Sequence, residues 1–172
     1  MRRIIFLFVG VLVILTLLGL ASLLLPSKIT VAKSVLINAP KEVIRNELSD
    51  FNNWKEWYPA MQDSLAKISI QLDEQNSSVL IIDKSGKKLQ LIHEPSIGDT
   101  ILVKIITSSQ STSDYQFLLM PHGPYSTQVT LNVNTYFRGY PWEKIKGVFL
   151  DKISGQYYEN VLEQLKKAIE RK

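Results

Sequence analysis

The sequence predicts an α+β chain. A curved antiparallel sheet of six or seven strands wraps around one long C-terminal helix, two short helices follow the first strand, and one membrane-spanning helix stands in front. Three observations carry this. Residues 4–25, "IIFLFVGVLVILTLLGLASLLL", contain no charged side chain. Between residues 66 and 137 apolar and polar side chains alternate, and turn-forming residues cut the alternation repeatedly. From Pro141 onward the apolar residues recur at helical spacing instead.

The uncharged run is long enough to cross the roughly 30 Å hydrocarbon layer as a helix rising about 1.5 Å per residue. A cleaved signal peptide would have a shorter apolar region, of about 7–15 residues, followed by a small-x-small site. "LASLLLPS" offers no clean Ala-x-Ala, so the run is expected to remain as an anchor over residues 1–26. Arg2 and Arg3 precede it and favour a cytoplasmic N-terminus, with the remaining domain on the extracytoplasmic (periplasmic) side. Lys28, Lys33, Lys41 and Arg45 follow it, and a simple count of them favours the reverse. Folded domains translocate largely regardless of charge, which leaves the outside placement standing.

The remainder, residues 27–172, has the size of one domain with a single core. "ITVAKSVLIN" reads as a strand. "APKEVIRNELSD" then starts a helix, with Pro40 near its first turn and Val43, Ile44 and Leu48 on one apolar stripe. "FNNWKEWYP" follows as a short second helix that stops at Pro59 and places Phe51, Trp54 and Trp57 or Tyr58 on one face. "AKISIQLD", "SVLIIDK", "LQLIHEP", "TILVKIIT", "SDYQFLLMP" and "TQVTLNVNTYF" are the period-2 strands of a meander with one face buried. Ile145, Val148, Phe149, Ile153, Tyr158, Val161, Leu162, Leu165 and Ile169 mark the inward stripe of the final helix.

Composition excludes several function classes. The 20 basic side chains exceed the 16 acidic ones by four, and Arg2 and Arg3 supply half of that excess. Neither basic runs nor basic-aromatic interleaving occur, so nucleic acid is not an expected partner. With two separated histidines and no cysteine, no zinc site is expected, and no cofactor is implied. There is no Gly-rich phosphate loop, Gly-x-Ser-x-Gly elbow or His-Glu-x-x-His helix. Absence of cysteine fits either compartment.

The stretches "SVLINAPKEVIRNELSDFNNWKEWYP" and "YPWEKIKGVFLDKISGQYYENVLEQLKKAIE" resemble the START-like / polyketide-cyclase superfamily (SRPBCC), in particular its membrane-anchored bacterial members. The combination is a strand, then Ala-Pro, a helix, and an Asn-x-Trp-x-x-Trp-x-Pro-like segment. The resemblance covers nearly all of residues 29–170, the middle strands by order alone. The glycine- and tryptophan-rich hairpin common in such proteins is replaced by "SVLIIDKSGKKLQL". The resemblance implies a helix-grip fold around an apolar cavity. The superfamily includes lipid carriers, metabolite binders, cyclases, dehydratases and partners of other proteins, with no catalytic set in common.

Candidate site residues follow from these elements. Trp54, Trp57 and Tyr58, with Phe51, close one end of the groove, either as packing or as part of the cavity wall. Gly155, inside a helix and on the side of Tyr158, leaves room for a ligand or lets the helix bend along the sheet. His93 alternates with Leu89 and Leu91; paired with Asp83 across adjacent strands it would form an acid-base dyad, and otherwise it is a strand-end residue. Tyr115, Phe117, Tyr157 and Tyr158 offer apolar wall and hydroxyls for a ligand's polar end. Lys33 approaches an acidic head group or lies in solvent, His122 sits in a turn, and "NSS" at Asn76 matches a glycosylation acceptor.

The function expected is membrane-tethered binding of an apolar small molecule or lipid between the sheet and the C-terminal helix, with residues 4–25 in the bilayer. A cyclase- or dehydratase-like enzyme using His93 or the tyrosines is the alternative. Another is a protein-interaction module whose cavity has collapsed, although the sequence names no protein partner.

Overall fold

The computed structural model describes residues 2–23, 28–72, 77–108, 112–136 and 141–172; the side chains of 2–5, 7, 15, 18, 21–23, 72 and 141–153 lie outside the described set. Helix α1 (Arg2–Leu23) runs through the uncharged stretch. Its side chains Phe6, Phe8, Leu12, Ile14 and Leu17 are each more than half exposed. Taken alone, the described residues include no helix long and apolar enough to cross a membrane.

Seven strands form one antiparallel sheet: β1 (Lys28–Ile37), β2 (Lys67–Leu72), β3 (Ser77–Ile82), β4 (Lys88–Ile97), β5 (Thr100–Thr107), β6 (Thr112–Pro121) and β7 (Thr127–Tyr136). Their order, β1-β7-β6-β5-β4-β3-β2, is a meander of six strands onto whose last member the first strand folds back. The register gathers Lys28, Tyr136, Thr112, Thr107, Lys88, Ile82 and Lys67 at one end of the sheet, and the tips of β1 and β2 at the other.

Alternation sends Val31, Val133, Tyr115, Val103 and His93 to the same face in one cross-strand row. Helix α4 (Pro141–Glu170) lies along β1, burying Tyr158, Val161, Leu162, Leu165 and Ile169. Its inward stripe is as expected over these residues, while Ile145, Val148, Phe149 and Ile153 fall outside the described side chains. The Asn38 backbone N–H donates to Glu170 Oε1 at 2.9 Å, tying the helix's last turn to the end of β1.

Two local expectations are corrected. In α2 (Lys41–Ser49) the buried residues are Ile44, Glu47 and Leu48, whereas Val43 is 43% exposed. Lys172 Nζ meets the buried Glu47 carboxylate at 2.9 Å, which allows a charged side chain to take the inward position. The aromatic segment is not one helix ending at Pro59. A 3₁₀ turn (Asn53–Glu56) comes first, and Pro59 opens a new helix, α3 (Pro59–Gln62). Proline forces the preceding Tyr58 to extended geometry (φ −80, ψ 116), and its missing N–H costs nothing at a helix's first position.

Candidate functional site

Phe51, Trp54, Trp57 and Tyr58 are all at most 1% exposed. Trp54 is the hub. Its ring lies 5.1 Å from Phe51, 4.7 Å from Trp57, 5.2 Å from Tyr58 and 6.0 Å from Phe117, and its indole N–H donates to the Leu48 carbonyl at 3.0 Å. The Asp50 carboxylate fixes the turn that delivers them, accepting from the Asn52 backbone N–H at 2.8 Å. The segment therefore plugs the core between α2 and the middle of the sheet. Packing is its structural role.

The plug extends into a tyrosine network. Tyr115 and Tyr158 meet edge to face at 5.7 Å, and so do Tyr157 and Tyr158 at 5.6 Å. The Tyr58 hydroxyl hydrogen-bonds those of Tyr157 and Tyr115, Tyr115 reaches Tyr158, and Tyr158 further reaches Thr135 and Ser154. Burial holds the hydroxyls of Tyr58 and Tyr115 well above the ordinary tyrosine value, and raises those of Tyr157 and Tyr158 as well. All four stay neutral at physiological pH, so they exchange hydrogen bonds and do not act as bases.

His93 joins this cluster through Phe51, ring to ring at 4.1 Å. Burial lowers its pKa, against a backbone hydrogen bond at Leu102 and the charge of Asp50, so its neutral form is favoured. The dyad with Asp83, one of the two readings of His93, does not form. Asp83 lies past the end of β3, beyond Ile81, which pairs with Leu89, while His93 sits further along β4 opposite Val103. Asp83 therefore lies at the Lys28 end and His93 in the middle of β4. His122 is exposed, and Asn76 lies outside the described residues.

Gly155 is buried, but the space beside it is taken. A β-carbon there would lie 3.4 Å from Lys33 Cε, and the Lys33 ammonium pairs with Glu159 Oε1 at 2.5 Å, one turn further along α4. The glycine makes way for a lysine stem crossing from β1. Of the residues singled out from sequence, Trp54, Trp57, Tyr58, His93, Tyr115, Phe117 and Tyr158 thus form one contiguous ring cluster, and Gly155 stands apart from it.

The open volume lies elsewhere. A cavity of about 660 Å³ is bounded by Pro59, Ala60, Asp63 and Ala66 around α3, Ile81 and Asp83 of β3 and its turn, Lys87, Lys88 and Leu89 entering β4, and Thr107 and Ser108 leaving β5. It sits at the Lys28 end of the sheet; Trp54, Trp57, Tyr58, His93, Tyr115, Phe117, Gly155 and Tyr158 do not line it, whereas Asp83, weighed as the partner of His93, does. Two small side chains, Ala60 and Ala66, face the sheet where larger ones would fill the hollow. The β3–β4 turn is built by Asp83, whose Oδ1 accepts from the Ser85 N–H (2.8 Å), the Ser85 hydroxyl (2.7 Å) and the Lys87 N–H (2.9 Å). The Ser85 hydroxyl is the largest cause of its lowered pKa, followed by the Lys87 backbone N–H. Gly86 takes φ +79 to complete the turn. Ser108 Oγ accepts from the Lys88 N–H at 2.5 Å and donates to the Lys88 carbonyl at 3.0 Å, pinning the end of β5 to the start of β4. Apolar floor and polar rim make this a ligand-sized site among the described residues.

No protein-family model matches the sequence, and no curated protein does. Solved structures match throughout the domain. The Zhui aromatase/cyclase from Streptomyces sp. R1128 superposes with TM-score 0.65 at 13% identity, over 84% of this chain and 94% of that one. A START superfamily protein from Mycobacterium smegmatis gives 0.62 at 18% identity, over 83% and 97%. Norcoclaurine synthase from Thalictrum flavum, solved with dopamine and hydroxybenzaldehyde, gives 0.62 at 11% identity, over 84% and 87%. The chain has the START-like, polyketide-cyclase fold that its sequence resembled.

Proposed function

We propose that the chain binds an apolar small molecule or lipid in the cavity beneath α3, while residues 4–25 tether it to a membrane with the domain on the extracytoplasmic side. The cavity carries the reading. Its volume of about 660 Å³ falls within the usual range for small-molecule sites, its floor includes Pro59, Ala60, Ala66, Ile81 and Leu89, and its polar groups stand at the rim. Removing apolar ligand surface from water contributes about 25 cal/mol per Å² toward binding without covalent chemistry. The exposed apolar side chains of α1 and the uncharged run that forms it support the tether. A tether raises the local concentration of membrane-derived ligands.

Ile81, 3% exposed and on the cavity floor, gives the test. Native mass spectrometry of the full chain from detergent, followed by lipid extraction, is expected to find an apolar compound that the Ile81→Trp variant lacks. Repeatedly empty wild-type protein would overturn the reading. A cyclase- or dehydratase-like reaction is the second reading, favoured by the tyrosine network and its link to His93. Turnover lost in His93→Ala with ligand content unchanged would carry it.

A further inference from the structure

Resting on the membrane-tethered reading above, we infer that the Lys28 end of the sheet docks on anionic phospholipid headgroups, so that the cavity opens toward the bilayer holding α1. The geometry starts from the chain itself. Between Leu23 at the end of α1 and Lys28 at the start of β1 stand four residues, a link that reaches at most about 18 Å. The register then carries the same end of the sheet across from Lys28 to Thr107, Lys88, Ile82 and Lys67. Thr107 and Lys88 line the cavity. Anchor and mouth therefore share one end of the domain.

Charge follows the same end. Lys28, Lys67, Lys84, Lys87 and Lys88 are all exposed there, and among the described residues none of the five makes an ion pair. Lys28 lies over the Tyr136 ring at 5.7 Å. The described carboxylates nearby are Asp63, Asp83 and Asp114: Asp63 accepts from the Leu65 N–H at 3.0 Å, Asp83 is engaged by its own turn and feels the Lys87 charge, and Asp114 acts on Tyr136, leaving five lysines against three carboxylates. At the opposite end three of the cations are paired internally, while Lys55, Lys167 and Arg171 make no ion pair among the described residues. Lys41 and Arg45 share Asp99 at 2.8 and 2.9 Å, and Lys172 meets Glu47 and Glu56 at 2.9 and 3.2 Å. Lysines near an anionic leaflet are attracted to it within about one Debye length. A docked mouth gives an apolar ligand a path from membrane to cavity that avoids water.

The chain contains no cysteine, so one introduced cysteine carries a donor fluorophore at a unique place. Ser85→Cys puts it in the β3–β4 turn at the Lys28 end, and Ser96→Cys puts it near the far tip of β4. The full chain is reconstituted into vesicles of phosphatidylcholine, with or without phosphatidylglycerol, that carry a headgroup-linked acceptor. With phosphatidylglycerol, transfer is expected to be stronger from position 85 than from position 96 and to fall with added salt. Lys67→Glu with Lys84→Glu, neither lining the cavity, should lower the docked-to-undocked ratio by about thirtyfold or more and leave the bound ligand in place. Equal transfer from both positions, or transfer indifferent to phosphatidylglycerol and salt, would overturn the docking surface alone. A chain that fails to float with either vesicle would overturn the tether, and the docking with it. Loss of the bound compound in both compositions belongs to the cavity reading and is read separately by extraction.

Discussion

Trp54 shows how much a single residue carries. It touches Phe51, Trp57, Tyr58, His93 and Phe117 and caps the Leu48 carbonyl. Trp54→Ala is expected to cost about 3–5 kcal/mol, read from the denaturant midpoint at unchanged slope. His93 makes a pH prediction. Its folded pKa lies below the ordinary 6.5, so between the two values the unfolded chain binds the extra proton and stability falls as pH drops through that window. Urea midpoints at about pH 5.5 and 7.5 should differ more in wild type than in His93→Gln. The aromatic density of residues 51–58 was legible as burial. Which part of it faces a void was not, because a void is defined by what several distant elements fail to fill. Ala60 and Ala66 became wall residues only once Ile81, Leu89 and Thr107 were placed opposite them.

Elements were legible where period and length agreed. "TILVKIIT" coincides with β5, and "TQVTLNVNTYF" matches β7 throughout its described residues, Phe137 lying outside them, because alternation on a half-buried strand is written into every second side chain. Pro59 was ambiguous for a physical reason: the same ring that ends one helix starts another. Gly155 was ambiguous because sequence cannot reveal which side chain crosses over it. With the Lys33 stem in ordinary contact and the backbone helical, Gly155→Ala should stabilise the fold by about 0.5–1 kcal/mol. Thermal or urea unfolding measures this. A destabilised Gly155→Ala would mean that the helix needs the glycine for a bend or a closer approach.

At the scale of the molecule, one sheet serves two tasks. Its β1–β7 side is sealed by α4, and its middle is plugged by the aromatic segment. Toward β3 and β4, the segment around α3 borders the sheet without filling the space beside it. The order of elements announced the sheet and the final helix; the position of the hollow depended on the register, which sets the turn after β3 beside the end of β5. The claim that this hollow holds the ligand is tested most directly by photo-crosslinking a diazirine-bearing lipid to the full chain and mapping the adducts. The account predicts adducts within residues 59–66, 81–89 and 107–108. Adducts confined to Tyr115, Gly155 and Tyr158 would contradict it.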